Sequence, residues 1–529
     1  MKIMLVSILI LWYHIGRKGV IFVQETKDNN SEFCEDEERE ECDFQMVAER
    51  HVIRPKHPQY AMLWDFCMLS RNLFNHANYL MRQKFFAKEP TFSYCQIEKI
   101  TKANTEYPDY KRMPTDQSAQ QTLRKLVSDW SSYRKAHKDW KKHPEKYLGE
   151  PKPPRYKKAG VGVVLMMTNQ NCKIKNGADG QFVSFPKTFD GFTVKTKGFG
   201  ENAKFQQVRI VPSHHDFLVV EVVYKVKIQK KDEQQKLREK SGKHLGIDIG
   251  ISNLMAVGNN FGAHPFLING KGLKSTNQDF NRRLAKAKAI IDGVNAEIVR
   301  KEQAKNGKIR RQYLHKRKVR AKKSKRRFYT ENDRTEQKLQ KEGKLFPKKT
   351  RRMDTLYRRR EFRIMDGMHK ASRMLVRYAS EHGVDTIVIG KNEGWKQETK
   401  LCKKVAQTFV QIPFAKLIEL IEYKARLLDL EVITHEESFT SGTSFLDGEL
   451  PTREFYNKAR RKTRGLFHAG DGLKINADVN GAMQILRKVF PEDTFTNICE
   501  AHPEALGSFF QVERRNIPRV SKQKKLAKN

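Results

Sequence analysis

Two aspartates stand where an unpaired carboxylate is costly. Asp248 interrupts the apolar run HLGIDIGISNLMAV (244–257), and Asp478 sits in INADVNGAMQIL (475–486). A charged carboxylate in an apolar strand costs several kcal/mol unless something balances it. A bound cation does so. Gly246 and Gly250 flank Asp248 and let backbone or substrate come close. Each residue taken singly has a plainer reading: a hydrogen-bonded turn aspartate for Asp248, and a helix N-cap for Asp478. Together, one at a strand end and one at the start of a late helix, they read as two arms of a divalent-metal site.

The elements that must position them follow from hydropathy patterning. From Leu245 onward, strands are expected at 245–250, 253–259 and 264–268, with a largely helical stretch at 281–380 and a further strand at 386–389. A helix beginning near Pro413 buries Phe414, Leu417, Ile418, Ile421 and Leu428. A strand at 430–434 and a last helix at 481–489, with Ala482, Ile485, Leu486 and Val489 inward, complete this half. Upstream, residues 46–56 read as a short strand. Helices are expected at 60–86, with Leu63, Phe66, Cys67, Leu73, Leu80 and Phe85 at helical spacing, and at 118–140, with Leu123, Leu126, Trp130 and Tyr133 on one side. The Pro-rich GEPKPPRYKK (149–158) marks a boundary, and 160–228 has the short strands and turns of a small, barrel-like β-domain.

The chain has 529 residues, too many for one core, and a formal net charge of +42. Such a surface needs a polyanionic partner, and nucleic acid is the partner class it fits. Between 300 and 330, 15 residues are Lys or Arg and one is acidic; Lys322, Lys323, Arg326 and Arg327 are expected on phosphate backbone. The seven cysteines form no C-x-x-C pair, which argues against a disulfide framework and a structural zinc site. Residues 1–45, with an apolar start and 10 acidic against 5 basic side chains, read as an atypical extension ahead of a functional chain beginning near Met46. The segment 492–529 reads as a basic, disordered tail.

The G-I-D-x-G strand, the T-I-V-I strand and the D-x-N-G-A helix resemble the three RuvC motifs. GKNEGWKQE (390–398), FVQIPFAKLIELIEYKA (409–425), ESFTSGTSFLD (437–447), TRGLF (463–467) and NADVNGAMQILRKVFP (476–491) resemble the TnpB family, relatives of type V CRISPR effectors and Fanzor nucleases. LWDFCMLSRNLFNHANYL (63–80) and QSAQQTLRKLVSDW (117–130) resemble its helical recognition region, so the likeness spans about 46–491. The resemblance implies a multidomain α/β fold. An RNase H-like (RuvC) domain at 241–491 would carry the basic helical insert 281–380. An oligonucleotide-binding-like wedge barrel at 46–56 and 150–240 would hold the helical recognition bundle 57–149.

The resemblance also implies a transposon-encoded, RNA-guided DNA endonuclease. Its partners would be a transposon-derived guide RNA and a double-stranded target bearing a short adjacent motif, in a monomeric ribonucleoprotein without a membrane. Two Mg²⁺ ions, with Mn²⁺ able to substitute, would support phosphodiester hydrolysis. The expected place is the cytoplasm beside the nucleoid, or the nucleus in a eukaryotic source. Two departures stand out. Gly390 occupies the place of the second-motif Glu, so a Glu displaced to the next strand end is expected to complete the site: Glu437, with Glu436 in reserve and Glu393 third. Ser444 and Asp447 stand where zinc-binding cysteines are usual, so no zinc is expected; His435 and His468 are isolated. The alternative is a nuclease-inactive, RNA-guided DNA-binding repressor, which Gly390 favours; a strand-transfer transposase is a weaker one.

Overall fold

The computed structural model describes residues 44–178, 180–198, 203–213, 217–228, 241–305, 331–347, 350–391, 411–461, 463 and 465–518. The chain divides after Lys236 into two compact units. Lys322, Lys323, Arg326, Arg327 and Glu393 lie outside the described residues. Among the described residues, no helix is long and apolar enough to cross a membrane.

The first unit opens with β1 (Phe44–Ile53), followed by helices α1 (Tyr60–Phe86), α2 (Tyr94–Ala103), α3 (Asp109–Arg112) and α4 (Asp116–Lys142). Leu63, Cys67, Ser70, Phe74, Ala77 and Met81 recur every three or four residues on α1 and are buried, with Leu73 beside them. On α4 the buried stripe is Ala119, Leu123, Leu126 and Trp130. Polar groups between the two helices are satisfied across the interface: Ser70 Oγ and Thr122 Oγ1 are 3.0 Å apart, and Trp130 Nε1 donates to Asn78 Oδ1 at 3.0 Å. Thr115 and Ser118 form a capping box that fixes the start of α4. Strands β2 (Leu165–Thr168), β3 (Lys173–Gly177), β4 (Gly180–Ser184), β5 (Thr193–Lys195), β6 (Ala203–Pro212) and β7 (Leu218–Lys227) follow. They form an antiparallel sheet of order β1-β7-β6-β2 and a small sheet β3-β4-β5. The two are tied by side chains, Thr196 Oγ1 donating to Glu49 Oε2 at 2.6 Å and lying 2.6 Å from Tyr224 Oη. The helices are thus an insertion within a β-domain.

The second unit contains β8 (His244–Ile249), β9 (Asn253–Asn259), β10 (Phe266–Asn269), α5 (Lys271–Lys305), α6 (Glu331–Lys341), α7 (Arg351–Glu381), β11 (Thr386–Gly390), α8 (Phe414–Arg426), β12 (Glu431–His435), β13 (Leu466–His468), β14 (Lys474–Asn476), α9 (Ala477–Val489), α10 (Phe495–Ala501), α11 (Ala505–Ser508) and β15 (Glu513–Asn516). Its main sheet runs β12-β11-β8-β9-β10-β15. β8, β9 and β10 form an antiparallel meander, and β11 and β12 add in parallel on the other side of β8. That order, third-second-first-fourth-fifth, is the RNase H-like arrangement expected from the sequence.

Gly246 lets α9 lie against β8, because a Cβ there would meet Ala482 O at 2.2 Å and Leu486 Cβ at 2.8 Å. The obstacle is backbone, which cannot swing aside. Gly246→Ala is therefore expected to cost about 1–3 kcal/mol through overpacking. Urea denaturation of the purified chain measures it, and an unchanged midpoint would mean that α9 rides loosely on the sheet.

Four expectations need correction. α5 starts ten residues before the expected 281, and α9 starts at Ala477, not Gly481. Leu428 is 51% exposed, since α8 ends at Arg426 and the chain turns away. The region expected to be a disordered tail is folded through Asn516: Ile498 and Phe509 join the core with Phe445 and Phe467, and β15 pairs in parallel with β10. β15 reads ERRN and has no apolar alternation. It is held by backbone pairing and by the Arg515 guanidinium, 3.9 Å from the Phe266 ring centroid and 4.9 Å from that of Tyr378.

Candidate active site

Asp248 is the penultimate residue of β8, on the side of the strand that Gly246 opens to α9. Two turns of α9 matter here. Asp478 lies in its first turn, and Gly481, three residues on, faces Asp248: a Cβ on Gly481 would stand 2.9 Å from Asp248 Oδ2. Asn476, not Asp478, caps the helix, its Oδ1 accepting from the backbone N–H of Asp478 at 3.0 Å and of Val479 at 3.2 Å. The Asp478 carboxylate is thereby released from capping. Its Oδ2 accepts from Asn253 Nδ2 at 2.7 Å, and its Oδ1 lies 3.4 Å from an Arg461 guanidinium nitrogen.

Glu437 follows the end of β12. The parallel register sets Gly390 beside His435, so residues just past β12 reach the end of β11. A Cβ on Gly390 would meet Glu437 Oε2 at 2.9 Å and Ile485 Cδ1 at 2.5 Å. The carboxylate of Glu437 therefore lies over the place where a position-390 side chain would begin. Glu436 is exposed, and its carbonyl accepts from Lys488 Nζ at 3.1 Å.

Burial pushes the Asp248 carboxyl well above the ordinary carboxylate range; the negative charges of Glu437 and Asp478 push it further, and Arg461 opposes them. Two of the acids singled out in the sequence, Glu437 and Asp478, thus both act on the third, Asp248, in the folded chain. Among the described residues, no three His, Cys, Asp or Glu side chains form a ready-made metal cage; Asp478 is turned toward Asn253 and Arg461. The donor set nevertheless suits a hard divalent cation. All three groups are oxygen donors, their mutual repulsion is what a cation would relieve, and the two glycines keep space beside Asp248 Oδ2 and Glu437 Oε2.

Asn253 and Arg461 are the site residues that pattern reading passed over. Asn253 carries a signal, a polar residue opening β9 directly after the Asp248 turn; Arg461 sits in a basic loop where no single Arg stands out. Ser444 and Asp447 belong to a polar cluster instead. Arg460 Nη1 lies 2.7 Å from Glu449 Oε1 and 3.5 Å from Asp447 Oδ2, while Ser444 N donates to Glu449 Oε2 at 2.8 Å and Gly470 N to Asp447 Oδ2 at 2.8 Å.

Residues 223–322 match the family described as "Probable transposase" (OrfB_IS605), and 414–485 match the family described as "Cas12f1-like, TNB domain". The first match holds Asp248 and the second holds Glu437 and Asp478. Each match covers part of the chain, and together they support the TnpB-like resemblance read from its motifs. Solved structures similar to this chain include a Cas12f1–sgRNA–target DNA complex (12% identity over 83% of this chain and 98% of that one, TM-score 0.28). A second is CasPhi-2 (Cas12j) bound to crRNA and phosphorothioate-DNA (12%, 89% and 92%, TM-score 0.39). A third is Alicyclobacillus acidoterrestris C2c1 with single-guide RNA (10%, 81% and 70%, TM-score 0.30). The RNase H-like fold rests on the strand order itself. No curated protein matches the chain.

Proposed function

We propose that the TnpB-like chain is an RNA-guided DNA endonuclease that cuts target DNA beside a short adjacent motif. The observation that supports it most is the convergence of Asp248 at the end of β8, Glu437 just past β12 and Asp478 in the first turn of α9, the helix seated on β8. Asp248, Glu437 and Asp478 would hold Mg²⁺, which when bound activates water and stabilises the leaving phosphate-ester oxygen. Asn253 keeps Asp478 in place by its 2.7 Å hydrogen bond, and Arg461 supplies positive charge beside two acids. Gly390 and Gly481 keep the floor of the site open to the scissile backbone. A transposon-derived guide RNA and a double-stranded target are the polyanions that a net charge of +42 fits, with base pairing reading the sequence and protein holding the backbone.

Plasmid cleavage with co-expressed guide RNA tests the reading. Linear product with Mg²⁺, and none after chelation, is expected. Target binding without any cut under both conditions would favour the guided repressor that Gly390 suggests.

Binding is expected to be steeply salt-dependent. Replacing Lys322, Lys323, Arg326 and Arg327 by Gln should flatten the log–log salt slope by roughly 0.7–0.9 for each phosphate that is no longer neutralised. Filter binding across a salt series measures it, and an unchanged slope would take this run off the nucleic acid.

A further inference from the structure

A second feature of the chain fits a nucleic acid, and it lies in the first unit. Helix α4 carries Trp130, Tyr133, His137 and Trp140, spaced three, four and three residues apart, so all four share one face. Their rings form a continuous ladder: centroids are 5.9 Å apart from Trp130 to Tyr133, 5.7 Å from Tyr133 to His137 and 5.7 Å from His137 to Trp140. Phe85 of α1 closes its inner end, 5.4 Å from Trp130 and 5.8 Å from Tyr133.

The inner rung is core. Trp130 is fully buried and hydrogen-bonded. The outer rungs are not: Tyr133, His137 and Trp140 are only half-buried, where a helix end facing water would ordinarily be polar. Beside them Arg134, Lys138 and Lys141 are exposed, Arg134 also donating to Thr91 Oγ1 at 2.6 Å. Phe85, Tyr133, His137 and these cations line an open cleft of about 380 Å³, whose other wall is Glu150, with Oε1 3.3 Å from His137 Nε2. Flat rings next to a row of cations match the two halves of a nucleotide, a stacking base and a phosphate. An acidic peptide would use the cations and leave the ladder idle. A paired base is already stacked on its neighbours and has no free face to offer.

We propose that this cleft binds an unpaired nucleotide of a single-stranded segment. Its base stacks on the outer rungs Tyr133 and His137 that line the cleft, and its phosphates are met by Arg134, Lys138 and Lys141. Glu150 orients the imidazole of His137. The inference rests on nucleic acid being the partner, as proposed above, and is independent of cleavage. The strand belongs either to the guide RNA or to unpaired DNA; both present the same base and phosphate.

Photocrosslinking of the full chain decides it, with short oligouridylate and oligothymidylate probes each carrying one iodouracil. Crosslinks are expected within α4. Tyr133→Leu and His137→Leu should each reduce them at least about fivefold, with the salt slope of binding unchanged, because stacking is lost and the Lys and Arg charges are kept. Tyr133→Phe, which keeps a ring, should retain them. Lys138→Gln with Lys141→Gln should lower the slope by roughly 0.7 for each phosphate released. The stronger probe names the strand. Crosslinks that map elsewhere and survive both Leu variants would overturn the proposal, as would crosslinks abolished by an acidic peptide at equal charge. A chain that binds neither probe would also remove the nucleic-acid reading; one that binds both but crosslinks outside α4 removes this inference alone.

Discussion

Asp248→Asn is expected to abolish cleavage and, without metal, to raise the melting temperature. Both effects come from one arrangement. In the folded chain the Asp248 carboxyl is held well above its ordinary value of 3.8, by burial and by the charges of Glu437 and Asp478. The unfolded chain releases that proton near 3.8, whereas the folded chain keeps it to higher pH. Between those two pH values the folded state holds more protons, so stability falls as pH rises through the window. Above it the folded chain carries the full cost of the ionised group. Asn removes that cost, and the gain should be largest at neutral to alkaline pH and vanish below about 3.8, where Asp248 is protonated in both states. Mg²⁺ should reverse the ranking by stabilising wild type more than the variant. Loss of a metal-holding acid removes several kcal/mol of transition-state stabilisation, so cleavage should fall by at least about a thousandfold. Thermal melts at pH 5 and 8, with and without Mg²⁺, read the first effect, and plasmid cleavage the second. A variant that cuts normally, or one less stable than wild type at pH 8 without metal, would contradict the assignment.

Glu437→Gln should lose cleavage as fully as Asp248→Asn, and Glu436→Gln should keep a measurable rate. Glu437 raises the Asp248 carboxyl and lies over Gly390, while the side chain of Glu436 is exposed. The amide is nearly isosteric with the acid, so a loss reports charge and metal affinity, not packing. Gly390→Ala supplies an orthogonal check: its Cβ would press on Glu437 Oε2 at 2.9 Å and on Ile485 Cδ1 at 2.5 Å, so cleavage should drop although no acid is removed. Titrating Mg²⁺ against the cleavage rate should show a raised requirement in that variant. Full activity in Glu437→Gln ends the displaced-glutamate idea; equal loss in both Gln variants would make the two acids a pair acting together.

What could be read from the sequence was local. Apolar runs fixed β8 to within a residue and β9 at 253–259, since strand periodicity and turn residues act over a few positions. Asp248 and Asp478 stood out because a carboxylate beside a buried element needs a reason. The long α1 was legible from its stripe of Leu63, Cys67 and Leu73. Glu437 could be named but not preferred on spacing alone, because its distance from Asp248 along the chain says nothing of their separation in space.

The tertiary structure decided that. The parallel register of β11 and β12 sets Gly390 beside His435, and only then does Glu437 come to rest over the glycine. The seating of α9 on Gly246 brings Gly481 against Asp248, and the cap taken by Asn476 leaves Asp478 for Asn253 and Arg461. β15 was invisible for the same reason. Its four polar residues carry no pattern of their own, and it becomes a strand only because the edge of β10 offers backbone partners and Phe266 and Tyr378 accept Arg515. Propensity and periodicity belong to neighbours in sequence, whereas a metal site and an edge strand belong to neighbours in space, and strand order is what converts one into the other.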